Sequence, residues 1–377
     1  MIRSHDRMML ARAARLALRA HGEAEPNPTV GCIVHDSNDV RAGEGRTARC
    51  GGPHAEVVAL REAGTSARGG TAWVTLEPCN HHGRTPPCVD ALLTAGVRRV
   101  VIGTRDPNPV ASGGIERLRA AGVVVDVVDD VPEVRRLHDP FRRRIACGRP
   151  WVVAKWAETA DGDLVAPPDA SRVISGTRSH AMMHRERGRV DAILTGIGTV
   201  LADDPRLDPR GRRPRRVPCR VVVDPLLELP LSARILESGT GEVLVATSDR
   251  TAIARPDRIA ALKERGARTV LLPMGNDPGS RASFAKLPPR TWIRLLEILE
   301  RDHQVSTLMT EAGPGLLRAF FKNDLVDAAL VFTAPTRFEP STGTAPRPRD
   351  LLADSGLERA WCGRRGEDEA SWWHRPS

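Results

Sequence analysis

The chain has no tyrosine, and aromatics make up only 3% of its 377 residues, as seven tryptophans and six phenylalanines. Side chains on which single-stranded bases could stack are therefore scarce. Lysine is almost missing as well: four residues out of 56 Lys and Arg, so the formal charge of +9 is arginine charge. Those arginines are dispersed except in Arg210-Gly211-Arg212-Arg213-Pro214-Arg215-Arg216, which reads as a solvated loop. No apolar run approaches the roughly 20 residues needed to span a bilayer. Seven cysteines is an odd number, without the spacing of a disulfide framework. These shortages argue against a nucleic-acid binder, a membrane protein and a secreted disulfide scaffold, and they fit a cytoplasmic protein. The Arg-rich start, Met8 to Leu16, resembles a transit peptide in composition. Its apolar residues recur at helical spacing, however, and it reads better as the first helix of a domain.

What is present is concentrated between residues 53 and 88. Pro53-His54-Ala55-Glu56 is followed by Glu77-Pro78-Cys79, eight further residues and Cys88. One imidazole and two thiolates can hold Zn²⁺ and leave its fourth tetrahedral position to water, the arrangement of a catalytic site. Zinc lowers the pKa of a bound water to about 7. Glu56, two residues past His54, is placed to carry a proton to a leaving amine without ligating the metal. His-x-Glu followed by Pro-Cys and a second Cys is the zinc nucleobase-deaminase signature, which normally has two residues between the cysteines. The competing reading is a closed structural clip with His81 or His82 as fourth ligand, which leaves Glu56 without a purpose.

At 377 residues the chain is long enough for two domains. Residues 1–147 alternate strand-like runs (Val30–Val34, Ala72–Leu76, Val97–Ile102, Val123–Val128) with helical stretches near 6–20, 55–64, 88–95 and 113–121. That order predicts helices on both faces of a mostly parallel sheet. Arg142 to Pro150 reads as a linker. Residues 148–377 form the second module, with strands beginning at Trp151, Ala192, Arg220, Val243, Thr269, Thr307 and Ala328, and helices near 177–187, 290–301 and 315–322. Two glycine-rich strand-to-helix turns, Gly196-Ile197-Gly198-Thr199 and Gly313-Pro314-Gly315, offer backbone N–H groups to phosphate oxygens. Each is weak alone; two in one module point to a dinucleotide.

Further motifs carry a resemblance. Pro26-Asn27-Pro28-Thr29-Val30-Gly31, the loop Asn80 to Pro87 between the cysteines, and Asp106-Pro107-Asn108-Pro109 together resemble the bifunctional riboflavin-biosynthesis deaminase/reductases. The similarity runs through most of the chain. It implies a cytidine-deaminase-like three-layer domain followed by a dihydrofolate-reductase-like α/β domain, working as a homo-oligomer with Zn²⁺ and NADPH. The implied substrate is a phosphorylated pyrimidine, 2,5-diamino-6-ribosylamino-4(3H)-pyrimidinone 5′-phosphate, which is deaminated and then reduced from ribosyl to ribityl.

By resemblance His54, Cys79 and Cys88 ligate zinc and Glu56 shuttles the proton. Asn27, His81 and Arg84 contact the pyrimidine and phosphate, and Asp106 and Asn108 the ribose or phosphate side. In the second module Ala157, Val173, Thr199, Asp203, Gly313, Pro314, Gly315 and Leu316 lie along NADPH. Lys155, Ser171, Arg187, Leu207, Arg210 and Glu311 line the substrate site, with Asp203 and Glu311 as candidate proton donors. The chain departs from the family at Thr47, where a His is usual, and at Ala160, Val173, Pro225 and Ala328. Beyond about residue 335 the similarity nearly vanishes, leaving the alternative of a deaminase with a degenerate reductase module.

Overall fold

In the computed structural model residues 4–83, 86–164, 174–210, 217–237, 241–273, 287–337 and 347–376 are described. Two compact units meet in sequence at Gly148/Arg149.

The first unit runs α1 (Ser4–Ala17), β1 (Gly31–His35), β2 (Arg41–Arg46), α2 (Ala55–Ala63), β3 (Thr71–Val74), α3 (Cys88–Ala95), β4 (Arg99–Ile102), α4 (Gly114–Ala120), β5 (Val124–Val127) and α5 (Pro132–Cys147). Its sheet has the order β2-β1-β3-β4-β5, with β1 antiparallel to both neighbours and β3, β4 and β5 parallel. Side chains alternate across a strand with period two. Cys32, Val34, Ala72, Val74, Val100 and Ile102 accordingly face a core shared with α2, α3 and α4. Ile33, Trp73 and Val101 face the other way, onto α1 and α5. Both faces are covered, giving three layers. Asp6, fully buried, accepts from Trp73 Nε1 (3.0 Å) and from both terminal nitrogens of Arg99 (2.9 Å each), tying α1 to β3 and β4.

Two sequence expectations are corrected here. Arg142 to Cys147 are the last turns of α5, not a linker; Gly148, at φ 61°, caps that helix and only three residues precede β6. The five arginines and the internal Pro140 hide its apolar stripe. β2 went unpredicted because Gly43 and Gly45 leave no strand-like pattern. A Cβ on Gly45 would lie 2.1 Å from Ala55 O, and one on Gly43 2.3 Å from Ala59 O. Only glycine allows α2 to rest directly on this strand.

The second unit runs β6 (Trp151–Glu158), α6 (Thr177–Arg187), β7 (Ala192–Gly196), α7 (Ile197–Asp203), β8 (Cys219–Val223), β9 (Val243–Ser248), α8 (Asp249–Ala254), α9 (Pro256–Glu264), β10 (Ala267–Leu272), α10 (Pro289–His303), β11 (Thr307–Thr310), α11 (Pro314–Lys322), β12 (Ala328–Thr333), α12 (Pro348–Ala353), β13 (Glu358–Arg365) and β14 (Asp368–His374). Its nine strands are ordered β10-β9-β8-β7-β11-β6-β12-β14-β13. The strands from β10 to β12 are mutually parallel, and the C-terminal hairpin is added antiparallel. The chain end therefore completes the sheet: the polar, alternately exposed β13 escaped prediction, and β14 holds the Trp372–His374 stretch.

Parallel β7 and β11 are neighbours, so both glycine-rich turns emerge at the same edge. At the entry to this unit Asp327, fully buried, accepts from Arg149 Nη1 (2.7 Å), Arg149 Nη2 (3.0 Å) and the Val152 N–H (2.9 Å). Removing one partner of a buried pair strands the other charge, at a cost of about 3–5 kcal/mol. Asp327→Ala should lower the stability of this unit by that order in urea denaturation; an unchanged midpoint would show the pair to be dispensable.

Candidate active sites

The close approach of α2 to β2 fixes its first turn. His54 is the N-cap of α2, and Cys88 opens α3. His54 Nδ1 lies 3.1 Å from Cys88 Sγ and 3.6 Å from Cys79 Sγ, and the Cys88 N–H donates to Cys79 Sγ at 3.3 Å. The three donor atoms fall within 4.8 Å of one another. Neither His81 nor His82 joins them, so among the described residues the cluster stops at three donors and the closed clip is not formed.

The electrostatics suit a cation. The Cys88 thiol shares its proton with Cys79, whose pKa falls to about 4 chiefly through that hydrogen bond, while Cys88 is pushed far up. Glu56, 3% exposed, is raised to about 7, first by burial and then by the Cys79 charge. A divalent ion in place of the shared proton would allow two thiolates and stabilise the neighbouring carboxylate. The residues fit zinc.

These groups open onto a cavity of about 340 Å³. Of the residues expected at the substrate, Asn27, His81, Asp106 and Asn108 line it, and Arg84 lies outside the described residues. Asp106 is pushed up to about 6, mainly by burial, against the Asn108 N–H that donates to it at 2.8 Å. The glutamate of Glu77-Pro78-Cys79 was missed. Buried, it accepts from the N–H groups of Asp106 (3.2 Å), Gly113 (3.0 Å) and Ile115 (3.2 Å), holding the loop after β4 against the cysteine loop. Phe141 and Arg144 of α5 also line the cavity; the sequence showed no helix here, and Arg144 fell in the supposed linker. Thr47 accepts from the Val30 N–H at 2.9 Å, stitching the end of β2 to the start of β1.

In the second unit Lys155 (β6), Arg187 (end of α6) and Glu311 (after β11) come together. Glu311 accepts from Arg187 Nε (2.5 Å) and Nη2 (2.9 Å) and from Lys155 Nζ (3.3 Å). Burial opposes its ionisation, but Arg187 and then Lys155 outweigh that and hold it at about 2. Glu311 is thus held ionised as a charge clamp between the two cations. Lys155 shifts down, through burial first, with Glu311 resisting and Arg187 adding to the fall.

Thr199 Oγ1 accepts from the Gly313 N–H at 3.2 Å, joining the two glycine-rich turns. Ala157 lies near the end of β6, Asp203 ends α7, and Pro314, Gly315 and Leu316 form the first turn of α11. Leu316 and Leu207, each 2% exposed, are packed into the main core. The Arg210 N–H donates to His184 Nδ1 at 3.2 Å, bringing two unpredicted residues, His184 and Asp208, beside Arg187. Ser171 and Val173 lie outside the described residues.

Residues 3–104 match the model of the cytidine and deoxycytidylate deaminase zinc-binding region, and 150–338 that of the RibD C-terminal domain. The chain is 39% identical to riboflavin biosynthesis protein RibD of Aquifex aeolicus, over 89% of this chain and 88% of that protein. With its Escherichia coli counterpart it shares 35%, over 88% of each. Acinetobacter baumannii RibD superposes with a TM-score of 0.79 at 31% identity, over 99% of both chains. A Thermotoga maritima diaminohydroxyphosphoribosylaminopyrimidine deaminase/5-amino-6-(5-phosphoribosylamino)uracil reductase gives 0.79 at 28%, over 98% of this chain and 99% of that one.

A depressed carboxylate pKa adds stability above its usual value of 4.5 that is lost as pH falls toward about 2. The stability gap between the protein and Glu311→Gln should therefore be widest near neutrality and shrink across that window. A gap independent of pH would mean Glu311 is not the ionised clamp.

Proposed function

The chain belongs to the RibD family of bifunctional riboflavin-biosynthesis deaminase/reductases, and from this we propose how its two units divide the reaction and which residues act. The protein deaminates 2,5-diamino-6-ribosylamino-4(3H)-pyrimidinone 5′-phosphate and reduces the ribosyl group to give 5-amino-6-ribitylaminouracil 5′-phosphate. The observation that carries the residue assignment is the three-donor cluster with buried Glu56 beside it, opening onto the cavity.

Residues 1–147 house the deaminase. Zinc held by His54, Cys79 and Cys88 supplies Lewis-acid activation of water at neutral pH. Glu56 moves a proton from the attacking water to the departing amine. Asn27, His81 and Arg84 hold the pyrimidine and phosphate, and Asp106 and Asn108 the ribose side, with Glu77 fixing the Asp106 loop.

Residues 148–377 house the reductase. NADPH, bound along Ala157, Val173, Thr199, Asp203 and residues 313–316, supplies the hydride. Arg210 presents a guanidinium group suited to the substrate phosphate, alongside Ser171, while Arg187 acts through its clamp on Glu311 and Leu207 belongs to the core. Lys155 keeps a transferable proton beside the ionised Glu311, which makes it, with Asp203, the candidate to protonate the opened sugar. The joined turns and the assembled Lys155–Arg187–Glu311 cluster support a working reductase despite the departures of this half. A cytoplasmic homo-oligomer completes the reading: the cysteines are free, and β13 ends the sheet as an edge available to a second copy.

The decisive experiment supplies the diaminopyrimidinone ribosyl phosphate to zinc-loaded protein and follows ammonia release and NADPH oxidation. Both are expected; ammonia alone would leave the second unit without its assigned activity. Glu56→Gln should cut ammonia release by about 100-fold or more. Zinc content and NADPH oxidation on supplied deaminated intermediate should stay unchanged. Retained deamination would remove Glu56 from its role.

A further inference from the structure

The first unit holds a second cluster of metal-ligating side chains. β1 and β3 are antiparallel, with Cys32 opposite Val74 and His35 opposite Thr71. The Cys79 loop leaves β3 at the Gly31 end, where the Thr75 N–H donates to Gly31 O at 3.0 Å. His35 is therefore at the opposite edge of the sheet from the active site. There it meets His5, from the first turn of α1, and Asp39, from the turn between β1 and β2.

His35 Nδ1 lies 2.9 Å from Asp39 Oδ1, and His5 Nε2 lies 3.8 Å from the same oxygen. One donor atom from each residue falls within 4.8 Å of the other two, the criterion the catalytic triad of ligands also meets. We propose that His5, His35 and Asp39 form a second divalent-cation site, selective for zinc-like ions and independent of the catalytic one.

Several features show a site prepared for such an ion. The His35 side chain is 9% exposed, with Nδ1 turned to Asp39, and the donor atom of His5, Nε2, is buried without a hydrogen bond. Both rings pack edge-on against Trp73, with centroids at 5.5 Å for His5 and 4.9 Å for His35. Trp73 is itself anchored by Asp6. The turn is set by Asp36, whose Oδ1 accepts from the N–H groups of Asn38 (2.9 Å) and Val40 (3.0 Å), leaving Asp39 at φ 64°. Among the described residues no arginine or lysine pairs with Asp39 to compete for its charge. Asp39 is 66% exposed, so water can complete the coordination.

Two imidazoles and one carboxylate suit Zn²⁺, Co²⁺ or Ni²⁺, whereas Ca²⁺ and Mg²⁺ favour all-oxygen sets. A bound ion would fasten the start of α1 to the β1–β2 turn. The inference does not depend on the proposed residue roles in deamination or reduction.

The test titrates metal-stripped, full-length protein with Co²⁺ and counts ions bound per chain by elemental analysis. Two are expected for the native chain, and one for both His35→Gln and Asp39→Asn, with ammonia release unaffected in each. The ion bound at the catalytic site should show sulfur-to-cobalt charge transfer; the second should add ligand-field absorption without it. A Cys79→Ser/Cys88→Ser variant should lose the thiolate signal and keep the other. If that variant does not fold, the two first-named substitutions still decide. Uptake of a single ion by the native chain, or a second ion that survives both substitutions, would overturn the proposal.

Discussion

Helix α2 rests directly on the glycines of β2, and the deaminase site depends on that contact. Gly43 and Gly45 let the carbonyls of Ala59 and Ala55 approach the strand to distances any Cβ would forbid. With the helix seated so low, its N-cap, His54, is held at the level of the loop that follows β3. Its second residue, Glu56, is buried facing the cavity and not solvent. The burial that gives Glu56 its raised pKa and the geometry that brings His54 to the two cysteines are thus one packing decision. Cys88, at the start of α3, meets the same constraint from the other side: its N–H points at Cys79, as helix N-termini favour.

The second unit organises its site by charge. Glu311, Lys155 and Arg187 come from three elements and are all nearly out of water. None of these charges is tolerable there alone, so the cluster forms as a set or not at all. Its support extends to the chain end: Asp368, at the start of β14, accepts from the Gly176 N–H (2.7 Å) and Ser179 Oγ (2.5 Å) at the N-terminus of α6, the helix that ends in Arg187. The stretch beyond residue 338, where the family-model match ends, is therefore tied structurally to the helix carrying one of the cluster's cations.

What could be read in the sequence follows from the range of the interactions involved. His54, Glu56, Cys79 and Cys88 were legible because a metal site on helix starts imposes short, fixed spacings. The core strands were legible because burial on both faces makes them continuous apolar runs. β2 was not, since its glycines serve a partner 10 or more residues away, and α5 was not, since arginines cover its stripe. Glu311 pairs with residues 156 and 124 positions distant, and no local pattern encodes that; only the family resemblance named it. His5, His35 and Asp39 had no signature at all, because a helix, a strand end and a turn contribute one ligand each.

Several of the arginines do structural work that a lysine could not. Arg99 joins Asp6 and Asp126, Arg149 joins Asp327, and Arg220, 1% exposed, donates to the carbonyls of Ile235 (2.6 Å) and Gly241 (2.7 Å). A guanidinium keeps its charge when buried and satisfies several acceptors in one plane, which an ammonium cannot do. Part of the positive charge is therefore used inside the fold, crosslinking strands and loops. The same property disqualifies arginine from passing a proton. The buried cluster of the second unit holds one of the chain's four lysines, Lys155, whose pKa burial lowers.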